Sequence, residues 1–310
     1  MHVAVVGAGA LGSVYGARIA TRARDVRVSF VVRPSRVTDA RPIVLERVDH
    51  PQDRITLSAP VRVAAVPGDA DVVLLAVSVN DLDDALLAAL RASEAAIVVL
   101  TPLLPDDFER MSRTFEKRLL PAMPSVAGYT NDAGVVRYWL PKVATTLIEE
   151  PRPLVAAVDT LVRAMHEAGI PTRFQIGTFG INAATTVTFL PLAFALDVAG
   201  SASALLGDRA LLALALDGAR EGRELGRMLG TPAPWAEMLT SFVGPTMLKI
   251  GVGLAERRSK EAVRYVEMHF GTKMHAQNVV MAEAIATLAR TRGLPATALE
   301  SLARRLRAMP

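Results

Sequence analysis

Short unbroken apolar runs separated by amphipathic stretches fill the first half of the chain. Residues 3–6 are apolar or small and read as a buried strand, and a helical pattern of Leu11, Val14 and Tyr15 follows toward Thr21. Residues 26–32 predict a second strand. Residues 71–77 (DVVLLAV) and 95–100 (AAIVVL) are continuous apolar runs, the signature of parallel strands covered on both faces. Helices are expected over 81–90, 105–117 and 154–167, and strands over 119–126 and 170–174. Residues 43–48 and 54–57 suggest a small hairpin or edge elaboration, and 134–138 with 143–148 suggest a pair of antiparallel strands. This alternation predicts a doubly wound α/β domain over residues 1–175. From 176 to 310 the period changes. Residues 179–196, 209–229, 233–255, 260–270, 273–290 and 297–307 all carry helical periodicity, so an all-α second domain is expected.

The turn after the first strand carries the candidate chemistry. In Gly7-Ala8-Gly9-Ala10-Leu11-Gly12, Gly7 permits a tight strand-to-helix turn and Gly9 lets the backbone approach a pyrophosphate. Gly12 lets the helix pack closely on the strand. The helix N-terminus then offers unpaired N–H groups and a positive dipole end to the phosphate. A fold that selects NAD places an Asp or Glu near the end of the second strand, and residues 26–36 contain none. Arg33 stands there instead, with Ser35 and Arg36 behind it. A guanidinium fork matches a 2′-phosphate, so NADP(H) is the expected cofactor.

Composition narrows the partners. The chain has 310 residues, is 51% hydrophobic and carries a net charge of +4. With a pI near 9.7 and mean hydropathy of +0.30, it invites a check for membrane spans and nucleic-acid surfaces. The best span, residues 183–206, is interrupted by Pro191 and Asp197 and reads as a buried helix. Aromatics make up 5% of the residues and no dense basic stripe appears, which argues against nucleic acid. The mild positive charge suits an anionic small molecule. There is no cysteine, which removes disulfides, thiolate metal sites and cysteine nucleophiles and is compatible with a cytoplasmic location.

The block GAGALGSVYGA, the Arg33 ending of the second strand, the LLAVSVND segment and the GVVRY stretch occur in the order seen in the ketopantoate reductase family, which this chain resembles. The resemblance implies a Rossmann domain followed by a helical substrate domain, reduction of a small 2-keto acid with NADPH, and a homodimer as the candidate assembly. It also implies a cleft between the domains. The nicotinamide would lie at the carboxyl ends of the strands, which adds Val77, Ser78 and Thr101 to the cofactor-binding set.

Several positions depart from the family pattern. Where the family carries a lysine directed at the cofactor, this chain has Ser78, and Leu103 falls at the slot of an asparagine beside the nicotinamide. If Asn182 matches the first asparagine of the long helix, the catalytic-lysine slot is Thr178. The family's substrate-binding glutamate falls near His275.

A proton donor must then come from elsewhere, and the segment YVEMHFGTKMHAQN offers Glu267, His269, Lys273, His275 and Gln277. Lys273 and Gln277 share a helical face, whereas His275 points elsewhere unless the helix starts later. The expected arrangement has Asn182 orienting the substrate and Lys273 or His275 donating the proton. No metal site is expected. The leading reading is an NADPH-dependent oxidoreductase acting on a small keto acid or related carbonyl or imine other than ketopantoate. The alternatives are a non-catalytic NADP(H)-binding sensor and a different cofactor-dependent reaction on the same scaffold.

Overall fold

Strand β1 (His2–Val6) is buried at every position and runs parallel to β2 (Arg27–Val31) on one side and β6 (Val72–Leu75) on the other. The computed structural model describes residues 1–78, 81–141, 144–151, 153, 155–241, 250, 252–253, 257, 260–270 and 274–309. These divide into two compact units, Met1–Phe179 and Gly180–Pro310.

In the first unit β5 (Val61–Val63) extends β2, and β7 (Ala96–Val99) and β8 (Leu119–Met123) extend β6, all parallel. Then β11 (Thr146–Glu149) joins β8 antiparallel, and β12 (Thr172–Gln175) joins β11 parallel. The order is β12-β11-β8-β7-β6-β1-β2-β5. The direction of winding reverses between β1 and β6, and a fold of this type binds its ligand outside the carboxyl ends of the strands there.

Alternate residues of the central strands enter opposite cores. Val5, Leu74 and Val98 pack on the side of α1 (Ala10–Arg22) and α4 (Ala156–Glu167). Val6, Leu75 and Val99 pack on the side of α2 (Asp84–Arg91) and α3 (Pro105–Phe115). The apolar runs of the sequence are thus buried on both faces, as a doubly wound sheet requires.

A second, four-stranded sheet has the order β4-β3-β10-β9. The expected hairpin over 43–48 and 54–57 is present as antiparallel β3 (Ile43–Arg47) and β4 (Arg54–Leu57). The expected pairing of 134–138 with 143–148 is not. Instead β10 (Val136–Trp139) pairs with β3 and with β9 (Ala127–Thr130), while β11 joins the main sheet. Burial decides between the two. Val136 and Tyr138 are buried under α1 with Leu45, and Thr146 of β11 is held by the Tyr15 hydroxyl at 2.6 Å and by Ser125 Oγ at 2.9 Å. Arg18, 1% exposed, joins α1 to the small sheet through Asp53 Oδ2 at 3.1 Å and the Tyr138 hydroxyl, and its Nε donates to the Ala168 carbonyl at 2.8 Å.

The described elements of the second unit are helical. The first is α5 (Thr178–Ala199), whose first two residues belong to the first unit. It is long and apolar enough to cross a membrane, yet 67% of its apolar window is buried inside the protein. It is followed by α6 (Ala202–Gly207), α7 (Arg209–Leu229), α8 (Pro234–Ser241), α9 (Lys260–Phe270), α10 (His275–Thr291) and α11 (Thr297–Arg307). Of the helix expected over 233–255, residues 242–249, 251 and 254–255 lie outside the described residues. Gly218, Gly222 and Gly226, one turn apart on α7, let it approach α5 closely. A Cβ at Gly222 would stand 2.2 Å from the Val187 carbonyl oxygen. Glu221 accepts from the N–H groups of Ala298 and Leu299 and so caps α11.

Candidate functional site

The glycine turn is built as its spacing implies. Gly7 has φ +95°, and a side chain there would stand 2.7 Å from the Ala76 carbonyl oxygen. Gly12 lies against the turn itself, since a Cβ would be 2.0 Å from the Gly7 oxygen and 3.1 Å from Val5 Cγ1. Gly9 is different: it is exposed, it has ordinary extended dihedrals (φ −72°, ψ −171°), and a Cβ built there meets no atom within 4 Å.

Two of the glycines are therefore required by the protein's own packing, and the third leaves space that the protein does not fill. Gly9 caps α1 without a side-chain hydrogen bond, and the first turn contains no acidic residue. The first helical bond is Ser13 N–H to the Gly9 carbonyl at 2.9 Å, so the amides of Ala10, Leu11 and Gly12 precede the helical ladder. Ala8, Ala10 and Leu11 are half-buried against the α1-side core. A dinucleotide's pyrophosphate fits this cradle in shape and charge.

At the end of β2, Arg33 opens a short turn (Pro34–Arg36) and extends into solvent, 83% exposed. Ser35 and Arg36 are exposed beside it. Arg33 Nη2 lies 3.4 Å from Asp81 Oδ1, a half-exposed carboxylate from the segment after β6. Sequence reasoning looked for an acid only next to β2 and missed this residue.

Over the carboxyl ends of β6 and β7 the contacts run in series. Gly7 abuts Ala76 and Val77, and the Thr101 hydroxyl donates to the Val77 carbonyl at 2.6 Å. Ser78 is half-buried. Leu103, at the asparagine slot, is 3% exposed and belongs to the core of the α2–α3 face. Phe108, in the first turn of α3, stacks on Phe179 with centroids 3.9 Å apart and planes 12° apart. Thr178, at the lysine slot, is fully buried, and its hydroxyl donates to the Gln175 carbonyl at 2.7 Å. Its N–H and that of Gly177 are held by the Glu149 carboxylate. Its hydroxyl proton is thus already used.

Of the catalytic set expected from sequence, the described residues are Asn182 and His275. Asn182 is buried near the start of α5, with Thr186 Oγ1 at 3.4 Å from its Oδ1. His275 opens α10, and its Nδ1 lies 3.0 Å from Asp197 Oδ2. A carboxylate only accepts, so this nitrogen carries the hydrogen.

Asp197 stands fifteen residues beyond Asn182 on the same helix, a rise of about 22 Å at 1.5 Å per residue. Asn182 and His275 therefore cannot grip one small substrate, which corrects the expectation that they do. Asp197 is fully buried, also accepts from Asn278 at 2.8 Å, and leaves Oδ1 without a hydrogen-bond partner among the described residues. Lys273 lies outside the described residues. Glu267 accepts from the Ala202 N–H at 2.9 Å, a capping role at the start of α6. No group of three or more metal-ligating side chains occurs among the described residues.

Residues 3–103 match the family model of ketopantoate reductase, PanE/ApbA. The resemblance read from the sequence holds over that stretch. A comparison with curated proteins finds no match. The fold is shared along the whole chain with solved structures at low identity. A 2-dehydropantoate 2-reductase from Geobacter metallireducens is 16% identical with a TM-score of 0.70, covering 99% of each chain. A dimeric ketopantoate reductase from Staphylococcus aureus is 14% identical with a TM-score of 0.65, covering 99% of this chain and 98% of its own. D-mandelate dehydrogenase, solved with NADH and anilino(oxo)acetate, is 14% identical with a TM-score of 0.67, covering 99% of this chain and 97% of its own. The architecture is that of the ketopantoate reductases, a mixed α/β sheet domain followed by a helical region.

Proposed function

We propose that the protein is an NADP(H)-dependent oxidoreductase that passes a hydride to a small carbonyl or imine compound other than ketopantoate. The observation that carries this reading is the unfilled side of Gly9 at the uncapped start of α1, flanked by two glycines that packing demands. The backbone amides of that helix start bind the pyrophosphate. Arg33 takes the 2′-phosphate, with Ser35 and Arg36 at its edge, and Val77, Ser78 and Thr101 would hold the nicotinamide half. When bound, the cofactor supplies the hydride.

Thr178 cannot donate a proton without breaking its bond to Gln175, and His275 is tied to Asp197 far along the helix. An acceptor that needs no protein acid, such as an iminium, suits these residues, and ketopantoate suits them poorly. The dimeric relative supports a homodimer, the lack of cysteine is compatible with a cytoplasmic location, and the interrupted apolar helix and sparse aromatics argue against membrane and nucleic acid as partners.

A second reading, an NADP(H)-binding protein without catalysis, is favoured by the self-satisfied Thr178 and the buried Leu103. Loss of NADPH absorbance with a panel of 2-keto acids and cyclic imines separates the two. Turnover of any panel member supports the oxidoreductase. Micromolar NADPH binding with no turnover across the panel supports the second reading.

A further inference from the structure

We infer that Asp81 sets the cofactor choice together with Arg33, so that the site takes NADH as well as NADPH. The inference rests on the cofactor reading above and changes what that reading says about selectivity. A fold that selects NAD holds the ribose 2′-hydroxyl with an acid at the end of the second strand, and residues 26–36 carry none. The structure brings an acid to the same place from another strand. Asp81 follows β6, and its Oδ1 lies 3.4 Å from Arg33 Nη2. A ribose substituent that reaches the Arg33 guanidinium therefore comes within reach of the Asp81 carboxylate too.

Both groups are held from behind and open in front. Arg33 leads the turn Pro34–Arg36, where the Arg36 N–H donates to the Arg33 carbonyl at 2.8 Å, and the Val32 N–H before it donates to the Val63 carbonyl of β5 at 2.9 Å. The Asp81 N–H donates to the Ser78 carbonyl at 3.0 Å, and Leu82 next to it is buried in the core of the α2–α3 face. The two side chains are 83% and 50% exposed. Two other acids of these loops are committed elsewhere. Asp39 accepts from the Arg41 guanidinium at 2.7 Å, and Asp83 caps α2 by accepting from the Leu86 N–H at 2.8 Å.

The two cofactors ask opposite things of this pair. A 2′-phosphate must part Arg33 from Asp81 and then lies beside a like charge, which offsets part of what the guanidinium contributes. A 2′-hydroxyl leaves the pair joined and donates its proton to the carboxylate. NADPH keeps the advantage, because a dianion gains more from Arg33 and Arg36 than a hydroxyl does, but the margin narrows.

Fluorescence titration of the purified protein with NADPH and NADH gives the two affinities. Calorimetry with 2′-phospho-ADP-ribose and ADP-ribose repeats the comparison without the nicotinamide and should return the same ratio. The parent should prefer NADPH by about tenfold or less, against the roughly 10²-fold that an unopposed guanidinium–phosphate pair supplies. Asp81→Asn keeps the size of the side chain. It should tighten NADPH by roughly two- to fivefold while weakening NADH by roughly three- to tenfold. Opposite signs are the signature, since a merely structural role would move both cofactors the same way. Raising the salt should erode the NADPH gain and spare the NADH loss. A parent that prefers NADPH by about 10²-fold or more, or an Asp81→Asn protein in which both affinities shift alike or NADH does not move, would overturn the inference while leaving the cofactor reading intact. A parent that binds neither cofactor would overturn both.

Discussion

Gly9→Val separates what the glycine turn does for the fold from what it does for the ligand. At φ −72° and ψ −171° an L-residue is unstrained, and the new Cβ meets nothing within 4 Å. Replacing a glycine without strain removes unfolded-state entropy worth about 0.4–1 kcal/mol, so the melting temperature should hold or rise by at most about 3 °C.

Binding should behave in the opposite way. The valine would occupy the approach to the amides of Ala10, Leu11 and Gly12, and each charge-assisted hydrogen bond lost costs about 1.5–3 kcal/mol. Losing two weakens NADPH by roughly 10²–10⁴-fold. Gly12→Val is the counterpart, since its Cβ would stand 2.0 Å from the Gly7 oxygen, and it should fail in stability first. Thermal unfolding by circular dichroism and calorimetry with NADPH give both numbers. A Gly9→Val protein that is folded and binds NADPH within threefold of the parent would refute the cradle.

Arg33→Ala should weaken NADPH by about 1–3 kcal/mol while leaving NADH nearly unchanged, measured by fluorescence titration. Equal losses for both would remove Arg33 from the 2′-phosphate. Asp81→Asn takes a carboxylate from beside Arg33, 3.4 Å away, and should tighten NADPH by roughly two- to fivefold at low salt, less at high salt.

Burial pushes the Tyr15 hydroxyl up to about 12. The folded protein keeps a proton that the unfolded chain gives up near pH 10. This stability is full below pH 10 and is lost as the pH rises to about 12, roughly 2–3 kcal/mol in all. Urea unfolding from pH 9 to 12 should show that decline, and Tyr15→Phe should flatten it. Gly222→Ala drives a methyl toward the Val187 carbonyl oxygen at 2.2 Å and should cost about 2–4 kcal/mol in denaturant unfolding.

The sequence made legible whatever rests on local pattern. VVLL and AIVV are buried on both faces, the Gly7–Gly12 turn has the expected geometry, and the helices of the second unit start within a few residues of their periodic signals. What it hid depends on partners far apart in the chain. β10 left its expected neighbour because Tyr138 is buried beside Arg18, 120 residues away. Asp81 reaches Arg33 across 48 residues. Helix phase placed Asn182 and His275 on plausible faces but carries no information on axial distance between two different helices. The Asp197–His275 contact, 78 residues apart in sequence, reveals that they are far apart. The stacking of Phe108 on Phe179 was likewise invisible, because neither residue belongs to a motif.

Deuterium transfer tests the central claim most directly. The purified protein is incubated with NADPH deuterated at C4 of the nicotinamide, on each face in turn, and with the panel of keto acids and imines, and the products are read by mass spectrometry. The expected result is one deuterium delivered as deuteride to the carbonyl or imine carbon of at least one panel member, from one face only, and lost in Gly9→Val. Tight NADPH binding with no label in any product would contradict it.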